Sequence, residues 1–214
     1  MTSDDRHAKA LALLKTSPVI PVLTIEKAAG AAPLARALLA GGLRVLEVTL
    51  RTAAALEAIR TLRDAVPGAI IGAGTITEPS QIDAALKAGA QFLISPGTTP
   101  ALIDAIAASP VPFMPGVATV SEAMRLRERG IRTMKLFPAE AVGGTKLLAG
   151  IFAPLPDLVF CPTGGIDLER ARLYLSLPNV ACVGGSWMVP KAAIDMGDWD
   201  AIQRLATKAA ALRA

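Results

Sequence analysis

Apolar residues fall along this chain in two alternating rhythms. Short runs rich in β-branched side chains give way to longer stretches in which Ala and Leu recur every three to four positions. The first rhythm belongs to strands and the second to amphipathic helices. It predicts strands over 19–23, 45–49, 69–73, 92–95, 111–114, 133–137, 158–162 and 180–183. Helices are predicted between and after them, over 28–40, 53–65, 80–88, 100–107, 120–129, 145–152, 168–176 and 198–213, and one more, over 1–15, precedes the first strand. Glycines mark several helix ends, at Gly41-Gly42, Gly68, Gly89 and Gly130.

Eight βα units joined by short loops call for a parallel sheet. The expected fold is α/β, a (β/α)8 TIM barrel, with residues 1–214 forming a single domain and the extra N-terminal helix covering the barrel's bottom. A doubly wound open sheet is the alternative. Against it, the first βα turn, Val22-Leu23-Thr24-Ile25-Glu26, has none of the glycines that cradle a pyrophosphate.

Composition narrows the function. Hydrophobic residues make up 52% and charged residues 19%, which fits a well-buried globular chain. The net charge of +4 is scattered and aromatics are 4%, so no nucleic-acid surface is indicated; a mild positive potential suits an anionic metabolite. No stretch approaches the ~18 apolar residues of a membrane span, and the N-terminus lacks the apolar core of a signal peptide. A cytoplasmic protein without a membrane partner is therefore expected. Cys161 and Cys182 lie in apolar strands and read as buried thiols, with a disulfide between them as the alternative. His7 is the one histidine, so neither a metal site nor a Ser-His-Asp triad can be assembled readily. No metal and no cofactor are expected, and proton transfer falls to carboxylates, Lys, Tyr174 or water.

The chemistry concentrates at the C-terminal ends of the strands, where barrels of this kind carry their active sites. On 133–137, Thr133, Lys135 and Phe137 share one face and Met134 and Leu136 the other. A lysine on a buried strand is costly unless it is paired or gives up its proton, and the free amine is a nucleophile toward carbonyls. On 45–49, alternation sends Glu47, Thr49 and Arg51 toward the barrel mouth and the aliphatic Leu46, Val48 and Leu50 toward the helices. Lys135 and Glu47 thus approach across the interior, either as a catalytic pair or as a buried structural ion pair. Thr75 follows the small residues Gly72-Ala73-Gly74 and can bond a ligand, or simply cap a Gly-rich turn; Ser95-Pro96-Gly97-Thr98 forms another small rim. Two strand ends carry paired glycines, Thr163-Gly164-Gly165 and Gly184-Gly185-Ser186, whose backbone N–H groups suit a phosphoryl group, or which simply turn tightly.

Taken together, Arg44-Val45-Leu46-Glu47-Val48-Thr49-Leu50-Arg51-Thr52, Gly72-Ala73-Gly74-Thr75, Ile94-Ser95-Pro96-Gly97, Lys135-Leu136-Phe137-Pro138-Ala139-Glu140, Cys161-Pro162-Thr163-Gly164-Gly165-Ile166 and Gly184-Gly185-Ser186-Trp187 resemble the 2-keto-3-deoxy-6-phosphogluconate (KDPG) aldolase family of the Entner–Doudoroff pathway. The resemblance implies a Schiff-base (class I) lyase that cleaves a phosphorylated keto acid to pyruvate and glyceraldehyde 3-phosphate, with 4-hydroxy-2-oxoglutarate as a side substrate. It implies Lys135 as the Schiff-base lysine and Glu47 as the general acid/base. Arg51 and Thr75 would hold the carboxylate end, and Gly164, Gly165, Gly184, Gly185 and Ser186 the phosphate end. Pro96, Phe137 and Thr163 would complete the pocket. The family implies a homotrimer that needs no metal. Other phosphosugar enzymes, such as an isomerase or epimerase, and a non-catalytic phosphometabolite binder remain the rival readings of the residues alone.

Overall fold

A computed structural model describes residues 3–213. Among them nine strands are formed: β1 (Val19–Leu23), β2 (Val45–Thr49), β3 (Ile70–Gly74), β4 (Phe92–Ile94), β5 (Phe113–Met114), β6 (Gly116–Val117), β7 (Thr133–Leu136), β8 (Val159–Pro162) and β9 (Val183–Gly185). The helices are α1 (Ser3–Lys15), α2 (Ala31–Ala40), α3 (Ala55–Ala65), α4 (Ser80–Ala88), α5 (Pro100–Ala108), α6 (Val120–Glu128), α7 (Gly144–Phe152), α8 (Leu168–Leu175), α9 (Lys191–Met196) and α10 (Trp199–Ala210). All strand pairs are parallel. They form a six-stranded sheet, β5-β4-β3-β2-β1-β9, and a three-stranded sheet, β6-β7-β8. The ladder is thus two parallel sheets rather than one unbroken ring of eight. Two isolated bridges, Phe160 to Val180 and Thr163 to Gly184, join the β8 and β9 segments.

Pro115 is the physical reason for the break that periodicity does not predict. It has no N–H to give the ladder: β5 ends at Met114, where the run expected at 111–114 also ends, and β6, which is not among the expected strands, follows with a different partner. The chain stays satisfied through the break: Gly116 N donates to Ser95 Oγ at 3.2 Å, and Pro115 O accepts from Lys135 N at 2.9 Å. The last strand begins at Val183 rather than 180, because its register with β1 starts at Val19 and Val183. The six-residue α9 is not among the expected helices, although Pro190 before it and the left-handed Gly197 after it are ordinary boundary residues. The start of the helix expected at 28–40 is a 3-10 turn, Ala28–Gly30. Residues 1 and 2 of the expected first helix lie outside the described residues.

Alternation along the strands separates two apolar clusters. Leu46 and Val48 of β2 and Met134 and Leu136 of β7 pack with the helices, among them Ala58, Ile59 and Leu62 of α3. The opposite strand faces contribute Ile20, Val45, Phe92, Ile94, Met114 and Cys161 to a second cluster, which Ala10, Leu13 and Leu14 of α1 complete. The N-terminal helix therefore covers one end of the inner strand face, as expected. It is also held by polar contacts: His7 Nδ1 lies 2.8 Å from Thr133 Oγ1, Arg6 donates to Ala107 O at 3.0 Å, and Asp4 pairs with Arg132. Burial, and then the Arg132 guanidinium, hold the His7 pKa below its ordinary value. Cys161 and Cys182 are both buried and not joined to one another.

The outer layer is closely fitted where α2 ends against α10. A Cβ on Gly41 would lie 2.4 Å from Ala206 Cβ and 2.8 Å from the Gln203 carbonyl oxygen, whereas one on Gly30 would meet nothing within 4 Å. Gly41→Ala should therefore destabilise the fold by about 1–3 kcal/mol in urea titrations, the scale of overpacking. Gly30→Ala should stay within about 0.5 kcal/mol. Equal effects would mean that the helix contact does not depend on the missing side chain.

Candidate active site

The inner face of β2 delivers Glu47 and that of β7 delivers Lys135. Both are almost completely buried, at 1% and 4% exposure, and Lys135 Nζ lies 3.3 Å from Glu47 Oε1. The ammonium also sits 5.2 Å from the centroid of the Phe137 ring, within range of a cation–π attraction. Neighbouring strands make the room. Lys135 stands in register with Gly116 and Cys161, and Glu47 with Val22 and Gly72. Gly74 is tightly constrained, because a Cβ there would fall 2.0 Å from Glu47 Oε1.

Above this pair lies a cleft of about 380 Å³. Of the residues expected in the site, Arg51, Thr75, Pro96, Phe137 and Thr163 line it, as do Gly164, Gly165, Gly185 and Ser186. Lys135 and Glu47 are not among its lining residues; they adjoin it through Phe137, whose ring Lys135 faces, and Val22, which stands in register with Glu47. Gly184 is not on the wall. A Cβ there would come within 2.2 Å of Thr163 Oγ1, so its role is to admit the Thr163 side chain. Thr163 Oγ1 is itself buried and without a partner among the described residues. Thr49, expected to point into the mouth, is instead fully buried and donates to Leu23 O at 3.0 Å, tying β2 to β1. Val22, Thr24 and Ile166 also line the cleft, and sequence reasoning misses them. Thr24 lies in the first βα turn, whose one legible feature is the lack of a nucleotide fingerprint.

The two ends of the cleft differ in chemistry. At one end Arg51 Nε donates to Thr75 Oγ1 at 3.3 Å. Thr75 has φ of +63°, the single positive φ of a non-glycine residue among the described residues. For a β-branched side chain this conformation costs about 1–3 kcal/mol, and such strain gathers at ligand sites. At the other end Gly164 and Gly165 have φ of +105° and +76°. Left-handed glycines in succession expose backbone N–H groups to an anion. Gly185 makes room instead, since a Cβ there would strike the Trp187 ring at 2.0 Å. A bulky residue at Gly164 or Gly185 would therefore disturb backbone or packing before it reached any ligand. Asp167 caps α8 by accepting from Arg170 N at 2.9 Å. Among the described residues no group of three or more His, Cys, Asp or Glu is placed to hold a metal ion.

A buried amine and carboxylate adjoining the cleft, a guanidinium at one end and a glycine turn at the other suit a doubly anionic carbonyl compound. Residues 11–205 match the family model described as KDPG and KHG aldolase. The chain belongs to that family. Among its aldolase relatives, the 2-dehydro-3-deoxy-phosphogluconate aldolase of Dickeya dadantii is 52% identical over 93% of each chain. The KHG/KDPG aldolase of Escherichia coli K12 is 50% identical over 94% of each. The crystal structure of the KDPG aldolase from Legionella pneumophila is 47% identical, with a TM-score of 0.92 over 94% of this chain and 98% of that one, and holds pyruvate captured as a covalent carbinolamine intermediate.

The fit of Gly74 against Glu47 gives a direct expectation. Gly74→Ala should leave the strands in place yet push the Glu47 carboxylate away from Lys135. Turnover should fall about 100-fold, the scale on which a 1 Å misplacement acts. A crystal structure should show the 3.3 Å contact broken. A fully active variant would mean that the position of Glu47 does not matter to the chemistry.

Proposed function

We propose that this chain is a class I aldolase that reversibly cleaves 2-dehydro-3-deoxy-6-phospho-D-gluconate to pyruvate and D-glyceraldehyde 3-phosphate, a step of the Entner–Doudoroff pathway, with 4-hydroxy-2-oxoglutarate as a side substrate. The observation that carries the mechanism is the buried Lys135–Glu47 contact. Lys135, as the free amine, attacks the C2 ketone and forms a carbinolamine. Loss of water gives an iminium, an electron sink conjugated to the bond that breaks. Glu47 accepts the proton of the C4 hydroxyl. The C3–C4 bond then opens, its electron pair passes into the enamine, and the aldehyde departs. Glu47 returns the proton to C3 of the enamine. Water adds to the resulting iminium, pyruvate leaves and the Lys135 amine is restored. One carboxylate serves both directions because the proton it takes in the first half is the one it gives back in the second; such a group contributes ~10²–10⁴-fold.

In this reading Arg51 and Thr75 hold the carboxylate of the keto acid, and the strained Thr75 backbone is the cost of aiming it. Gly164, Gly165 and Ser186 hold the phosphate, with Gly184 and Gly185 shaping that end through Thr163 and Trp187. Pro96, Phe137 and Thr163 form the walls. The carbinolamine captured in the Legionella pneumophila enzyme supports the assignment of covalent chemistry. The two parallel sheets, bridged between β8 and β9 and continuous in chain between β5 and β6, are read as one closed (β/α)8 barrel, a single domain over 1–214. Among the described residues no helix is long and apolar enough to cross a membrane. The enzyme is assigned to the cytoplasm and to a homotrimer, with no nucleic-acid partner.

Pyruvate with borohydride should fix a reduced pyruvate adduct on Lys135, located by peptide mass spectrometry; an adduct on Lys146 or Lys191 would contradict the assignment. Lys135→Arg should abolish both adduct and cleavage, since a guanidinium stays protonated. Exhaustive EDTA treatment should leave the activity intact, because the amine and carboxylate supply the whole of the chemistry. Activity lost to EDTA and restored by zinc or magnesium would favour a metal-dependent mechanism instead.

A further inference from the structure

The glycine turn after β8 does not stand by itself. Gly164 O accepts from Glu140 N at 3.2 Å, and Gly165 O accepts from Arg170 Nη1, also at 3.2 Å. The Gly164–Gly165 and Gly165–Ile166 peptides are trans, the single cis bond among the described residues being Phe137–Pro138. In a trans peptide the N–H points opposite to the C=O. With the two carbonyls bonded to Glu140 N and Arg170, the N–H groups of Gly165 and Ile166 point away from those partners, and both residues line the cleft. Neither N–H donates to an acceptor among the described residues.

Arg170 is fixed on three sides. Its Nη1 also bonds Asp167 Oδ2 at 3.0 Å, and its Nε pairs with Glu140 Oε2 at 3.2 Å. Glu140 in turn accepts from the Tyr174 hydroxyl through Oε1. Tyr174 is 1% exposed and belongs to the helix-facing core. Burial, and then the Glu140 carboxylate, push its phenol above the ordinary value, so it remains a donor throughout the neutral range. Glycine is also required for the brace to close: a Cβ on Gly165 would meet Glu140 Cγ at 2.9 Å, and one on Gly144 would meet the Tyr174 hydroxyl at 2.9 Å. A chain of contacts thus runs from the core through Tyr174, Glu140 and Arg170 to the carbonyl of Gly165.

We propose that Arg170, held by Glu140 and Tyr174, is a positioning residue for phosphate: it pins the Gly165 carbonyl outward so that the Gly165 and Ile166 N–H groups face the phosphoryl end of the substrate. Arg170 does not touch the substrate; it selects for the phosphorylated keto acid through the backbone. This rests on the reading of the cleft as the aldolase site.

The test compares wild type, Arg170→Gln and Tyr174→Phe on the phosphorylated substrate and on 4-hydroxy-2-oxoglutarate, which has no phosphate. Arg170→Gln should raise KM for the phosphorylated substrate, and the inhibition constant of inorganic phosphate, about tenfold, the worth of one charge-assisted hydrogen bond. Its kcat, and its kcat/KM on 4-hydroxy-2-oxoglutarate, should stay within about twofold, as expected of a group remote from the reacting atoms. Tyr174→Phe, which keeps the core filled, should shift the same constants in the same direction by about threefold, because it removes a support one step further back. Equal losses on both substrates, or an unchanged KM for the phosphorylated one, would overturn the proposal. Failure of the aldolase reading would appear separately, as a wild-type protein that cleaves neither substrate and gives no borohydride adduct with pyruvate.

Discussion

An ammonium and a carboxylate withdrawn from water each cost several kcal/mol unless they face one another. Lys135 and Glu47 meet at 3.3 Å on the inner faces of β7 and β2, and much of the inner architecture follows from keeping them there. The strand neighbours of Lys135 are Gly116 and Cys161, those of Glu47 include Gly72, and Gly74 has no side chain where the carboxylate lies. Small residues that look like lapses in a hydrophobic strand are the space the pair occupies. The apolar filling expected of such an interior is displaced toward α1, where Leu13 and Leu14 close the opposite end.

Rigid strands position the pair, while the ends of the cleft depend on unusual backbone. Thr75 holds a left-handed conformation that only surrounding structure can impose on a β-branched residue, and its hydroxyl accepts from Arg51. The turn at Gly164 and Gly165 is laced to the segment after β7 by Glu140 and to α8 by Arg170. The electrostatics of the site are therefore set by elements far apart in sequence: β2 supplies the carboxylate, β7 the amine, and α8 the support of the Gly164–Gly165 turn. This is preorganisation, in which donors are held in place before charge arrives.

Much of this is legible in the sequence for a plain reason. Period-two alternation assigns a face to every strand residue, so Glu47 and Lys135 are placed inward and Leu46, Val48, Met134 and Leu136 outward without coordinates, and the structure has them so. Alternation says nothing of where a polar side chain bonds, which is why it sends Thr49 to the mouth when that residue ties two strands together. Nor does it register the two-residue β6 that follows Pro115, a residue with no N–H to carry the ladder on from β5. Glycine pairs look equivalent in sequence, but φ separates them: Gly164 and Gly165 are left-handed, whereas Gly184 and Gly185 make way for Thr163 and Trp187. The link from Glu140 to Arg170 and Tyr174 carries no local signal, since Glu140 follows β7 and the other two lie on α8, Tyr174 34 positions further on.

The central claim is that Glu47 moves protons and does not merely neutralise Lys135. Glu47→Gln keeps the shape of the side chain and removes the base, so exchange of the pyruvate methyl protons with solvent, followed by NMR, separates the two roles. If Glu47 is the acid/base, the variant should fold, form the borohydride-reducible adduct, and exchange those protons more slowly by about two orders of magnitude, the usual scale of general-base loss. Near-normal exchange in a protein destabilised by about 3–5 kcal/mol, as an uncompensated buried ammonium would produce, would contradict the account.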